Sequence, residues 1–180
     1  MSLLTLHLLG SPVLRQRSPE VEAFDDQLRK FIADMFETMD AAKGVGLAAN
    51  QVGVATRVAV VDAEGQRFVM VNPRILRAEG KSTAEEGCLS IPDVYGDVTR
   101  PASVTLEALD RDGKPFRLEA AGLVARAIQH EIDHLDGILF LDHLGALRRA
   151  MLLKKFRKEY AGKGFLKEVH EVEPETARGG

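Results

Sequence analysis

Residues 129–137 read QHEIDHLDG and carry His130, Glu131 and His134 in the spacing His-Glu-x-x-His. On a helix, side chains four apart share a face, so both imidazoles can reach one metal ion, with Glu131 beside the first of them to handle protons. The pattern reads as a zinc-peptidase helix. Two histidines do not complete a catalytic metal site, however; three protein ligands and an open position do. In the metzincin continuation the third histidine falls at residue 140, which here is Phe140, and His143 comes too late. In the gluzincin arrangement a glutamate on a later helix serves, and Glu159 stands there without the surrounding motif. The only cysteine, Cys88 in EEGCLSIP, fits better. A thiolate is a strong ligand for Zn²⁺ or Fe²⁺, although a lone cysteine is more often a small buried apolar residue. A third stretch, GVGLAANQVG at 44–53, suits close backbone approach or a flexible loop, and its Gln51 is a candidate donor to a developing negative charge.

Taken together, GVGLAANQ, EGCLS and QHEIDH resemble the three signature motifs of the peptide deformylases, in the same order and at similar separations. The resemblance runs from about residue 5 to about residue 160. It implies removal of the formyl group from the N-terminal formylmethionine of new polypeptides, with release of formate. It implies a metal held by Cys88, His130 and His134, with a water in fourth place that attacks the formyl carbon. Glu131 then acts as general base and acid, and Gln51 and the Leu89 N–H stabilise the oxyanion. Three ligands and a water read as zinc on simple grounds. The resemblance implies Fe²⁺ as the working metal, with Zn²⁺, Ni²⁺ or Co²⁺ as substitutes. It also implies a methionine pocket lined by Val45, Glu86, Leu123, Ala127 and the His130 ring, further substrate contacts at Gly44, Gly46 and Gly87, and a pairing of Asp133 with Arg100 behind the histidines. One residue departs from the pattern: Tyr95 stands where many relatives carry arginine. A phenol can hydrogen-bond but cannot pair with a carboxylate, which puts in doubt any tight hold on the downstream peptide.

The alternatives are an endopeptidase with a different third ligand, a catalytically dead binding module at the ribosome, and a closed structural zinc site. The dead module would be expected to lack Glu131, Gln51 or a ligand, and the closed site would want a fourth protein ligand.

These residues need elements to position them. Leu28, Phe31, Ile32, Met35, Phe36 and Met39 make an apolar stripe that predicts a helix over 25–42, with Asp25 as N-cap and Gly44 as stop. The Val-rich run 57–78, punctuated by Glu64-Gly65, predicts two strands and a turn. A hairpin follows over 103–120, turning at Asp112-Gly113. The histidine pair rides a helix over 121–136, and a third helix covers 143–160. Residues 1–24 read as irregular. The mixture without regular βαβ alternation predicts an α+β fold, with antiparallel or mixed sheets packed around the helix of the histidine pair and a further helix after it. Residues 1–165 are expected to form one catalytic domain, and 166–180 a flexible acidic tail.

The third helix is basic, with Arg148, Arg149, Lys154, Lys155, Arg157 and Lys158 against Glu159. It resembles the helix by which bacterial deformylases dock near the ribosomal exit tunnel; the plainer reading is a solvated face. The net charge of −3 excludes a general nucleic-acid binder, and no DNA partner is expected. A single cysteine rules out a disulfide within the chain and suggests a reducing compartment. The start MSLLTLHLLGSP lacks a basic segment and is interrupted by His7, so no secretory signal is expected. No stretch approaches the ~20 apolar residues that span a bilayer, and no membrane partner is expected. The cytoplasm is the expected location.

Overall fold

The computed structural model describes residues 2–171. In chain order the elements are β1 (Leu6–His7), α1 (Asp26–Ala41), β2 (Gly46–Ala48), β3 (Val58–Ala63), β4 (Gln66–Glu79), β5 (Ser82–Cys88), β6 (Ile91–Arg100), β7 (Ser103–Leu109), β8 (Pro115–Ala121), α2 (Gly122–Leu135), α3 (Ala146–Tyr160) and β9 (Leu166–Lys167). Short 3-10 turns at Pro12–Arg15, Ala49–Val52 and Phe140–His143 join them. Every strand pairing among the described residues is antiparallel, in one sheet of order β2-β3-β4-β7-β8 and two ribbons, β5-β6 and β1-β9. The fold class is α+β, as the sequence predicts. No described helix is long and apolar enough to cross a membrane.

The five-stranded sheet has a helix on each face. Successive side chains of a strand point to opposite sides. In β3, Val58 and Val60 therefore join Leu28, Ile32, Met35 and Met39 of α1, while Ala59 and Val61 join Val124, Ala125, Ile128 and Leu135 of α2. This explains the unbroken run VAVV, which is buried on both faces. A third apolar cluster joins Ile91, Val94 and Val98 of β6 to Leu139, Phe140 and Leu141 and to Leu152 and Phe156 of α3.

Local chemistry sets the boundaries. The Asp25 carboxylate accepts from the Leu28 N–H at 2.9 Å and caps α1. Glu64 and Gly65 both have positive φ, 50° and 79°, as a two-residue hairpin between β3 and β4 requires. The stop of α1 differs from expectation. The left-handed residue is Lys43, φ 59°, and not Gly44. Gly44 is instead needed for space, since a Cβ there would lie 2.8 Å from Leu89 Cδ1.

The β5-β6 ribbon has no counterpart in the sequence-based reading. Its inward positions, Val94, Gly96, Val98 and Arg100, include a glycine and an arginine, which breaks the apolar alternation by which strands are recognised. The tail expected from residue 166 begins with a strand pairing. Leu166 and Lys167 pair with His7 and Leu6, so residues 1–24 are not wholly irregular either. Two-residue strands carry no periodicity to find. The rest of that expectation, residues 172–180, lies outside the described residues.

Removing the α1 cap by Asp25→Ala is expected to cost ~1 kcal/mol. Urea denaturation checks this, and an unchanged midpoint would show that the Asp25–Leu28 bond adds nothing.

Candidate active site

α2 ends under the turn between β5 and β6, which brings His130 and His134 against Cys88. The Cys88 Sγ lies 3.2 Å from His134 Nε2, which is 3.2 Å from His130 Nε2. All three ligand atoms lie within 4.8 Å of one another. Bonds of ~2.0–2.3 Å to a tetrahedral ion place neighbouring donors roughly 3.3 Å apart, so the donor set fits one divalent ion. Burial, then the charge of His130, pushes the His134 pKa down, which favours the neutral ring that binds metal. The end of α2 is held from below. Asn50 Nδ2 donates to the His134 carbonyl at 2.5 Å, and buried Arg57 donates to the Leu135 carbonyl at 3.2 Å and pairs with Asp136 at 2.8 Å.

Glu86 orients the histidine. Its Oε1 accepts from His130 Nδ1 and from Arg100 Nη2, both at 2.9 Å. Its Oε2 accepts from Arg100 Nε at 2.6 Å and from Arg126 Nη1 at 2.5 Å. Holding Nδ1 in this way turns Nε2 toward the other donors. Burial works to raise the Glu86 pKa, but the bonds from His130 and Arg100 outweigh it and hold the carboxylate well below its usual range. Arg100 Nη1 also donates to Asp133 Oδ2 at 2.9 Å, so the pairing expected of Arg100 and Asp133 is present, and His143 Nε2 reaches the same oxygen at 2.7 Å. The sequence reading missed Arg126 and His143. Arg126 stands four residues before His130, and that spacing on one helix face was the available signal.

Gln51, 2% exposed, takes the Ala48 N–H on its Oε1 at 2.9 Å. Its Nε2 therefore faces the site, 3.1 Å from Ser90 Oγ and 3.5 Å from Cys88 Sγ. The Leu89 N–H has no hydrogen-bond partner among the described residues. Glu131 is 3% exposed, and its Oε1 has no hydrogen-bond partner among the described residues. Burial pushes its carboxyl pKa up to about 7. Gly46 allows this placement, because a Cβ there would collide with the Glu131 carboxylate.

A cavity of about 570 Å³ opens over these groups. All seven residues expected to bind substrate, Gly44, Val45, Gly46, Glu86, Gly87, Leu123 and Ala127, line it, together with Cys88, Leu89, Tyr95, His130 and Glu131. The Glu86 side chain is 4% exposed and committed to the arginines and His130. Tyr95 lies over Gly87, where a Cβ would be 2.7 Å from its ring. Arg148, Arg149, Lys154, Lys155, Arg157 and Lys158 are exposed on α3 and do not line this cavity.

Three comparisons bear on this arrangement. The sequence pattern of the polypeptide deformylase family matches residues 4–150. The peptide deformylase of Brucella suis is 55% identical over 164 residues, covering 88% of this chain and 94% of that one. The peptide deformylase of Rhizobium meliloti is 47% identical over 170 residues, covering 91% and 98%. Among solved structures, a peptide deformylase from Legionella pneumophila superposes with a TM-score of 0.84 at 46% identity, covering 87% of this chain and 95% of that one. The Ehrlichia chaffeensis peptide deformylase in complex with actinonin gives 0.86 at 37%, covering 89% and 99%.

Glu86→Gln leaves Arg100 and Arg126 buried beside a neutral amide and is expected to cost ~3–5 kcal/mol at pH 7. The unfolded chain takes up a proton near the ordinary value of 4.5, the folded chain only well below it. The stabilisation by ionised Glu86 is therefore complete above that value and declines as pH falls further. Urea denaturation of the metal-free protein should show the gap to wild type narrowing on acidification; a gap independent of pH would count against the ion cluster.

Proposed function

Because this chain belongs to the polypeptide deformylase family, a family of metal-dependent hydrolases that remove the N-formyl group from nascent polypeptides, we propose that it does so with Cys88, His130 and His134 as metal ligands and Glu131 as the proton carrier. The observation that carries this reading is the meeting of the three donor atoms at one end of a cavity whose wall includes the unpartnered Glu131 carboxylate. A divalent ion held there supplies Lewis acidity, polarising the formyl oxygen and acidifying a water. Fe²⁺ is our assignment for the active form, with Zn²⁺, Ni²⁺ or Co²⁺ as substitutes.

The chain's own groups do the rest. Glu131 accepts a proton from the attacking water and returns it to the leaving amine. Burial raises its pKa, which favours the protonated form that donates to the amine. As the formyl carbon becomes tetrahedral its oxygen gains charge, and Gln51 Nε2 and the Leu89 N–H donate to it. The Ala48 bond to Gln51 Oε1 fixes which end of that amide faces the oxygen. Losing one such donor costs about 10²–10³ in rate. The methionine side chain enters between Val45, Leu123 and Ala127. The backbone at Gly44–Gly46 and at Glu86–Gly87 flanks the peptide, with no side chain in the way at the glycines.

We take residues 1–165 as the catalytic unit and the cytoplasm as its place of work. The exposed cations of α3 fit docking at the ribosome near the exit tunnel, where formylated chains emerge. Contacts of this kind weaken steeply with salt. Reversing Lys154, Lys155 and Arg157 to glutamate should reduce co-sedimentation with ribosomes at low salt, and unchanged binding would end the docking idea.

The deciding experiment is formate release from an N-formylmethionyl tripeptide by protein prepared without oxygen and supplied with Fe²⁺. Rapid release is expected. Glu131→Ala should keep its metal and lose about 10²–10⁴ in turnover. A loaded wild-type protein that releases no formate would overturn the reading, and a Glu131→Ala variant active at the wild-type rate would overturn the role of Glu131.

A further inference from the structure

After α3 the chain crosses back and is clasped to the start of the protein. Leu166 and Lys167 pair with His7 and Leu6, and the Leu8 N–H donates to the Phe165 carbonyl at 2.6 Å. The segment then continues along the cavity. Val169 packs in the apolar cluster that also holds Leu4, Leu6, Ala42 and Leu89. Seated in this way, Lys167, Glu168, Val169 and His170 line the same cavity as Cys88, His130 and Glu131.

Apart from Glu131 and the paired Glu86 and Arg126, the charged residues lining the cavity come from two groups of elements. Lys43 at the end of α1 and Lys167 and His170 of the C-terminal segment line it, with Glu168 as the acid of that segment. Glu85 of β5 and Asp93 of β6 line it from the ribbon, beside uncharged Tyr95. An extended peptide turns successive side chains to opposite sides. Its residues can therefore sample one side or the other, but a given side chain does not sample both.

We propose that Lys167–His170 form a specificity-determining wall for the peptide residues that follow the formylated one, and that this wall favours an acidic side chain at the second or third position. The inference rests on the deformylase reading of the same site. Lys167, and Lys43 lining the same cavity, attract such a carboxylate. Val169 sets the position of the wall through its packing and does not touch the reacting group.

The test uses the full chain loaded with Fe²⁺ and the tripeptides N-formyl-Met-Glu-Ala, N-formyl-Met-Lys-Ala, N-formyl-Met-Ala-Glu and N-formyl-Met-Ala-Lys. In the wild type, KM is expected to be about three- to fivefold lower for the glutamate peptide than for its lysine counterpart in at least one of the two pairs, the size of an exposed ion pair. The preference should fade as salt is raised. Lys167→Glu should reverse it, with the change in KM rather than in kcat, and Val169→Asp, which unseats the segment, should erase it. Lys114→Glu, in the turn between β7 and β8 and away from the cavity, should leave the preference as it is. Equal KM values for all four peptides in the wild type, or a preference that survives Lys167→Glu, would overturn the wall. Absence of formate from every peptide would overturn the underlying activity instead, and the wall with it.

Discussion

Four hydrogen bonds to one buried carboxylate hold the site together. Glu86 comes from β5, Arg100 from β6, and Arg126 and His130 from α2. Without Glu86, Arg126 would sit in the interior with no carboxylate and Arg100 would keep only Asp133, and with it they cross-link a ribbon to a helix that share no backbone hydrogen bonds. The thiol donor stands two residues after Glu86 and the imidazole donors on the partner helix. The distance between sulfur and nitrogen is thus fixed by a cluster of charges whose misplacement would cost several kcal/mol. Arg126 extends the hold by donating to the carbonyls of Val98 and Ser82 at 2.9 and 2.8 Å, one on each strand of the ribbon.

Above this base the site depends on missing side chains. Gly46 lets a carboxylate lie against an edge strand, Gly44 makes room for Leu89, and Gly87 for the Tyr95 ring. Each glycine permits an approach between backbone and a neighbouring side chain that any Cβ would block. The small-residue stretch at 44–53 is therefore well packed at its centre, with Leu47, Ala48, Ala49, Asn50 and Gln51 all buried, and not the solvated loop that its composition also allows.

Much of this was legible in the sequence, for identifiable reasons. The stripe of α1 and the spacing of His130 and His134 follow from helical geometry, and the hairpin turns follow from Glu64-Gly65 and Asp112-Gly113, where residues tolerant of unusual backbone angles stand between strands. Cys88 stood out as the only thiol. What stayed hidden lacked a local signature. The β5-β6 ribbon hides behind a glycine and an arginine in its inward row. Glu86 read as a pocket residue because nothing local reveals that two distant arginines converge on it. β9 is too short for any pattern, and its strand character comes wholly from the partner it meets at the other end of the chain.

That last pairing has a consequence for how the protein is made. Chains fold as they emerge during synthesis, and pairings between distant segments wait for both to be present. The helices, the five-stranded sheet and the ribbon can assemble from residues 12–160, but Leu6–His7 must wait for Leu166–Lys167. One side of the cavity is therefore in place only after Leu166–Lys167 have been made and can reach Leu6–His7. A member of a family that acts on nascent polypeptides thus completes one wall of its own cavity after its helices and sheet, by a pairing between distant parts of the chain.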